Sequence, residues 1–359
     1  MNLDPIFNIP PYSLDKQEKK KVFNGHMNQL TRHHFLSCDY YSRMLNALDF
    51  DQTENYTTTD IPFLPVRLFK MHDLYSVLKK DIVKTMTSSG TSGQKVSKIF
   101  LDKKAALNQS KALTKIVSSF LGQKRTPMII IDNASTLKNR NNFSARGAGI
   151  LGFSIFGTKR IYALNEDMEL NVNEVISFIE KNEGNRIFIF GFTFMVYQHF
   201  IKTLMRDSVK IDLSNAVLIH GGGWKKLIKE SVTTIEFRKM LYDLCGIESV
   251  HDYYGMVEQT GSIYMECENG NLHAPIFSDI IIRRAHDFSV ADVGEQGIIQ
   301  TLSVLPTSYP GHSLLTEDEG ILLGEDGCTC GRLGKYFKIV GRIESAELRG
   351  CSDTYADEF

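Results

Sequence analysis

The sequence predicts an α/β fold, a mostly parallel sheet flanked by helices, with a smaller β-rich subdomain after it. Two observations carry most of that expectation. Short apolar runs such as Met128-Ile129-Ile130-Ile131, Ile187-Phe188-Ile189-Phe190 and Val217-Leu218-Ile219 alternate with helical stretches. That is the rhythm of strands covered on both faces by crossover helices. From Cys267 onward the texture changes to short strands (280–283, 297–301, 321–323, 336–340) separated by Gly, Asp and Glu turns. A chain of 359 residues also exceeds one typical domain. The expected divisions are an N-terminal helical and extended region (1–80), an α/β core (81–265), a β-rich subdomain (266–340) and a short tail (341–359).

Taken in order, residues 14–48 read as mostly helix, because Phe23, Met27 and Leu30, then Tyr41, Met44 and Leu45, recur at helical spacing. His33 and His34 are neighbours, so on a helix they point about 100° apart and suit packing or surface roles better than one shared metal. Ile61-Pro62-Phe63-Leu64-Pro65-Val66 is Pro-bounded and extended. A strand at 96–102, a helix at 105–120 and a buried strand at 128–132 follow. The Gly-rich apolar stretch 143–157 either lines a cavity or packs. Beyond it come a helix at 171–180, a strand at 186–192, a helix at 194–205 and a strand at 217–220. That last strand runs into Gly221-Gly222-Gly223, which suits either a tight turn or a flat ligand against the backbone. Ligands of such sheets sit at the carboxyl ends of strands. Cys38 and Cys245 lie in apolar helical contexts and read as core.

Composition excludes several function classes. Apolar residues make up 42% and charged residues 23%, as in soluble globular proteins. The net charge of −1 argues against bulk electrostatic binding to nucleic acid or an anionic membrane. No apolar run reaches the length of a membrane span and no hydrophobic signal core opens the chain, so a cytoplasmic location is expected. Six cysteines in so long a chain point to metal binding or catalysis rather than a disulfide scaffold.

The chemistry-bearing stretch is Thr87-Ser88-Ser89-Gly90-Thr91-Ser92-Gly93-Gln94-Lys95, with Lys98 just beyond. Hydroxyls and glycines alternate, so the backbone can turn tightly and aim several N–H and O–H donors at one anion. That suits the polyphosphate of a nucleotide, although an ordinary Ser/Gly loop has the same composition. The spacing does not fit a Walker A loop.

Three further motifs give the loop its context. Ser88 to Gly93 resembles the phosphate loop of the adenylate-forming superfamily. Tyr254-Gly255-Met256-Val257-Glu258 is similar to that superfamily's Tyr-Gly-x-Thr-Glu motif, Leu315-Thr316-Glu317-Asp318 to its Thr-Gly-Asp motif, and Gly341-Arg342-Ile343-Glu344 to its Gly-Arg-x-Asp hinge. The stretches Leu30 to Tyr41 and Ile61 to Pro65 extend the likeness over nearly the whole chain. Within the superfamily the chain most resembles the acyl-protein synthetase subunit of bacterial fatty-acid reductase, and next phenylacetate-CoA ligase.

The resemblance implies the large N-terminal domain of the adenylate-forming fold. It also implies ATP-dependent activation of a carboxylic acid, a fatty acid in that subfamily, to an acyl-adenylate and then transfer to a protein thiol. A ligase that delivers the acyl group to coenzyme A and a nucleotide-binding scaffold without catalysis stand as alternatives. Ser88, Ser89, Gly90, Thr91, Ser92 and Gly93 would hold the outer phosphates, with Lys95 or Lys98 as the catalytic cation. Gly221, Gly222, Gly223, Tyr253, Tyr254 and Gly255 would frame the nucleoside. Asp318 would accept from ribose hydroxyls, Arg342 would add a permanent cation, and Glu258 would coordinate Mg²⁺. The chain departs from the pattern at Lys95-Val96, where Pro-Lys is usual, at Val257 in place of Thr, and at Glu317 in place of Gly.

Cys267 and His273 flank a predicted hairpin turn, and Cys328-Thr329-Cys330 forms a second tight turn; together they offer a Cys₃His set for a structural Zn²⁺. A similar set occurs in enzymes resembling phenylacetate-CoA ligase. Most adenylate-forming enzymes continue past the hinge into a small domain that carries a catalytic lysine. With the last residue at Phe359, that domain is expected to be absent. The resemblance to acyl-protein synthetases implies an acyl-accepting cysteine in the C-terminal segment, and in Arg349-Gly350-Cys351-Ser352 the candidate is Cys351, with an inert tail cysteine as the other reading; Arg349 would favour the thiolate. An acyl-accepting reductase, or another acceptor, would be the partner.

Overall fold

The structure is a computed structural model that describes residues 2–88, 95–137 and 145–343. These form two compact units. The first draws on residues within 2–88, 95–117 and 255–343; the second comprises residues within 118–254.

After a short helix over Asp4–Phe7, the first unit has a helix over Lys16–Ser37, started by a capping box: Asp15 accepts from the N–H groups of Gln17 and Glu18, and the Glu18 carboxylate accepts from Asp15 N–H. A shorter helix, Asp39–Asn46, follows after Cys38, so the stretch that reads as mostly helix consists of these two. Phe23, Met27, Leu30, Tyr41 and Leu45 are buried, as their spacing predicts. The Pro-bounded segment supplies strand β1 (Leu64–Pro65), then the short helix Leu68–Met71. Strands β2 (Ile82–Thr87) and β3 (Lys98–Asp102) form an antiparallel ribbon. A helix over Lys103–Leu121 continues from β3.

The second unit is the parallel sheet the sequence predicts. Its strands are β4 (Thr126–Ile131), β5 (Gly157–Tyr162), β6 (Ile187–Phe192), β7 (Ala216–Gly221) and β8 (Ser249–Tyr254), in the order β5-β4-β6-β7-β8 and all parallel. Strands β6 and β7 are buried along their whole length, which is why they read as unbroken apolar runs. Helices Ala145–Ser154, Val172–Glu180 and Thr234–Cys245 belong to this unit. The helix expected at 194–205 is present, but Val196–Ile201 is wound as a wider π segment. The described part of the 143–157 stretch packs: Phe153 stacks on Phe190 with centroids 4.3 Å apart.

The first unit resumes with β9 (Tyr264–Glu266), β10 (Leu272–His273), β11 (Ser278–Arg283), β12 (Gln296–Ser303), β13 (Ser313–Glu325) and β14 (Lys335–Arg342). They pair antiparallel in the order β11-β12-β13-β14-β10-β9, and β1 adds to β13 in parallel. Buried Cys38 belongs to this unit and buried Cys245 to the other. Among the described residues no helix is long and apolar enough to cross a membrane.

Candidate active site

In the parallel unit the predicted residues gather at the carboxyl ends of β7 and β8. Gly221 lies level with Tyr253 in the sheet, and a Cβ on Gly221 would sit 2.6 Å from the Tyr253 ring. Gly222 has φ +83°, and its Cβ would meet Phe192 at 2.6 Å; Gly223 has φ +68° with open space beside it. The three glycines thus answer different demands: close approach, close approach with a left-handed turn, and the turn alone. Below them the Thr193 hydroxyl donates to Gly221 O at 3.2 Å and lies 2.9 Å from His220 Nδ1. Burial holds the His220 imidazole neutral, its pKa down at about 3. Tyr253 and Tyr254 are half-buried.

In the first unit a second set is built around Glu258, Glu317, Asp318 and Arg342. Glu258 sits in a single helical turn, Val257–Gln259, held by polar contacts on both sides. Tyr309 Oη donates to Glu258 O at 2.9 Å, and Gln259 Nε2 donates to Gly311 O at 2.8 Å. The Glu258 side chain is buried, and burial pushes its carboxyl up from the usual range against the pull of the Ser97 hydroxyl and the Lys70 ammonium. Along β13 the Asp318 N–H donates to the Thr316 hydroxyl at 3.1 Å, which itself donates to Ile299 O at 2.8 Å. That anchors the backbone beside Asp318 with Glu317 where the related motif has Gly. Asp318 and Arg342 are register partners on β13 and β14, and Arg342 Nε lies 3.8 Å from Asp318 Oδ1. Arg342 Nη2 also reaches Glu317 Oε2 at 3.2 Å.

The loop residues fare differently. Ser88 N–H donates to Ser97 O at 3.1 Å, and Ser97 N–H donates to Ser88 Oγ at 2.9 Å, which closes the base of the ribbon. Lys95 is exposed, and Lys98 pairs with Asp73 at 3.3 Å. Ser89, Gly90, Thr91, Ser92, Gly93 and Cys351 lie outside the described residues.

A family model described as acyl-protein synthetase, LuxE, matches residues 2–359. The chain belongs to the LuxE acyl-protein synthetase family. It is similar to two long-chain-fatty-acid–luciferin-component ligases. The one from Vibrio harveyi is 23% identical and the one from Aliivibrio fischeri 25% identical, each match covering 99% of this chain and 93% of the relative. Among solved structures it resembles a 2-hydroxyisobutyryl-CoA ligase, with a TM-score of 0.71 at 14% identity over 93% of this chain and 77% of the other. That likeness establishes the adenylate-forming fold. This acyl-protein synthetase is therefore an AMP-forming ligase that activates a carboxylic acid through an acyl-adenylate, and neither the CoA-ligase nor the scaffold alternative is favoured.

The acyl-protein synthetase also carries the cysteine–histidine cluster. The ligand atoms of Cys267, His273, Cys328 and Cys330 lie within 4.8 Å of one another. Cys267 Sγ is 3.9 Å from Cys328 Sγ, and Cys330 Sγ is 3.4 Å from His273 Nε2. Tetrahedral zinc places its sulfurs about 3.8 Å apart, so the spacing fits. Burial keeps His273 neutral, with its pKa down at about 4, the form that ligates metal. Sequence reasoning missed Arg67, Lys70, Ser97 and Tyr309, which surround Glu258 and Glu317. The spacing of Arg67 and Lys70 after a Pro-bounded strand is the only sequence signal they give.

Proposed function

We propose that the acid is a long-chain fatty acid and that the activated acyl group passes to Cys351 and then to an acceptor protein in the cytoplasm, a reductase being the natural consumer of a thioester. In the first step a carboxylate oxygen attacks the α-phosphorus of ATP and pyrophosphate leaves. In the second the Cys351 thiolate attacks the acyl carbonyl and AMP leaves. Two anions must meet in the first step, so the site has to supply donors and positive charge. Ser88 to Gly93 take the outer phosphates, Gly221 to Gly223 with Tyr253, Tyr254 and Gly255 take the nucleoside, and Asp318 accepts from the ribose. Arg342, Lys95 and Lys98 contribute positive charge. Glu258 offers one hard carboxylate, the kind of donor set that, completed by phosphates and water, suits Mg²⁺; bound there, Mg²⁺ would neutralise phosphate charge. Zn²⁺ on Cys267, His273, Cys328 and Cys330 would brace the β-rich part of the fold.

The observation that supports this reading best is the assembly of Glu258, Asp318 and Arg342 in one unit of a chain whose family is acyl-protein synthetase. Intact mass spectrometry after incubation with ATP, Mg²⁺ and a panel of carboxylic acids tests it. A hydroxylamine-labile long-chain acyl adduct on the wild type and none on Cys351→Ser is the expected result. An adduct that persists in Cys351→Ser would move the acceptor elsewhere, and a preference for short or aromatic acids would overturn the choice of substrate.

A further inference from the structure

The roles above assign nothing to Arg67 and Lys70, the cations beside Glu317 and Glu258. We propose that Arg67 and Lys70 bind phosphate groups of the nucleotide, with Glu317 as the residue that positions Arg67; this rests on the nucleotide-dependent activation of the preceding section.

Sheet register places Arg67. Strand β1 runs parallel to β13 with Pro65 opposite Leu315, and Val66 N–H donates to Leu315 O at 2.9 Å. Two residues beyond the end of β1, where the chain turns into the helix Leu68–Met71, Arg67 Nε lies 3.2 Å from Glu317 Oε1. From further along the same edge of β13, opposite β12, Arg342 of β14 takes the second oxygen of the same carboxylate at 3.2 Å. One carboxylate therefore orients two guanidinium groups beside Asp318. Arg67 commits only Nε to that pair. Its side chain is 55% exposed, and among the described residues its two terminal nitrogens have no protein partner. A guanidinium held at one edge and open at the other presents a fork that matches phosphate oxygens.

Lys70 lies three residues on, on the same side of the short helix Leu68–Met71. Between them Phe69 is buried and meets the Tyr309 ring edge-on at 6.1 Å. Tyr309 in turn donates to the backbone of Glu258. The helix that Arg67 caps and that carries Lys70 is thus fastened to the turn that carries the proposed Mg²⁺ ligand. The arrangement also gives the departure at Glu317 a reason, since glycine there would leave Arg67 and Arg342 without their shared acceptor. A purely structural Arg67–Glu317 pair at this exposure would contribute little to stability.

Titration calorimetry with MgATP on the full chain reads the inference directly, with acid-dependent pyrophosphate exchange measured in parallel. Arg67→Ala and Lys70→Ala should each weaken MgATP binding about tenfold with melting temperature nearly unchanged, and Arg67→Lys should keep part of the affinity. Glu317→Ala should also weaken binding, and the double variant Glu317→Ala/Arg67→Ala should lose less than the sum of the two single losses, because part of the effect of Glu317 acts through Arg67 and the rest through Arg342. MgATP affinity within twofold of wild type in both Arg67→Ala and Lys70→Ala would overturn the proposal, and additive losses in the double variant would overturn the positioning role. Wild type that binds MgATP but shows no exchange with any acid would count against the acid-activation reading, while the binding comparison still decides this one.

Discussion

The two units treat buried polarity in opposite ways. In the parallel unit the central strands β4, β6 and β7 are packed with Ile, Phe, Val and Leu. Buried charge there collects at the end of β4, where Arg146 Nε meets Asp132 at 2.9 Å. The first unit instead runs polar groups through its interior. Asp279 lies between Lys19 at 3.4 Å and Lys335 at 2.8 Å, Gln300 Nε2 donates to Ser313 Oγ at 3.0 Å, and His34 Nδ1 sits 2.7 Å from Ser76 Oγ. Apolar packing degrades gradually when a group is trimmed, whereas a hydrogen-bonded interior fails abruptly when one partner goes. The unit whose side chains carry Glu258, Asp318 and Arg342 is the one with the exacting interior.

The sharpest test of that contrast is Asp279→Ala. Burial pushes the Asp279 carboxyl up, but Lys19 and Lys335 outweigh it and hold the group ionised, below its ordinary pKa. Removing the carboxylate strands two ammonium groups, one of them, Lys19, nearly inaccessible. Breaking such a buried cluster costs about 3–5 kcal/mol. A urea midpoint shifted by less than about 1 kcal/mol equivalent would mean that water enters and solvates the lysines.

Differences in legibility follow the same line. Strands β4, β6 and β7 are readable because burial on both faces leaves a continuous apolar run. The helix Thr234–Cys245 is hard to read, because Phe237, Leu241 and Cys245 are its only buried residues among charged ones. Glu258, Asp318 and Arg342 stand out through the order of their motifs. Arg67 does not, because what brings it to Glu317 is a strand register spanning 250 positions. Glu317 shows in the sequence only as a departure from a pattern; its two guanidinium partners give it a purpose. The unread part of the site is the part made by pairing across distance.

A second, smaller effect comes from acid. His312 touches Thr31 at 2.9 Å and lies 5.0 Å from the His34 ring. Burial is the main reason both are held neutral, His312 with a pKa down at about 3 and His34 well below its usual value. In the unfolded chain each titrates near about 6.5. Between about pH 3 and 6.5 the unfolded state therefore binds more protons, and stability, complete above that window, falls as pH is lowered through it. The limit is about 1.4 kcal/mol per pH unit for each histidine. Denaturation of wild type and His312→Gln at pH 7, 6 and 5 should show a shallower decline in the variant; equal slopes would assign the acid sensitivity to other groups.

The smallest effect belongs in the parallel unit. Ile130 on β4 is fully buried between neighbours of like chemistry, Phe190 opposite it on β6 and Tyr162 on β5. Ile130→Val removes one methylene and leaves no polar group unpartnered, so the expected cost is about 0.5–1.5 kcal/mol. The loss should also be nearly independent of pH between 5 and 7, because no titrating group changes its surroundings. If this trimming cost as much as Asp279→Ala, the contrast between the two interiors would collapse, and tight packing rather than polar pairing would be what makes either unit exacting.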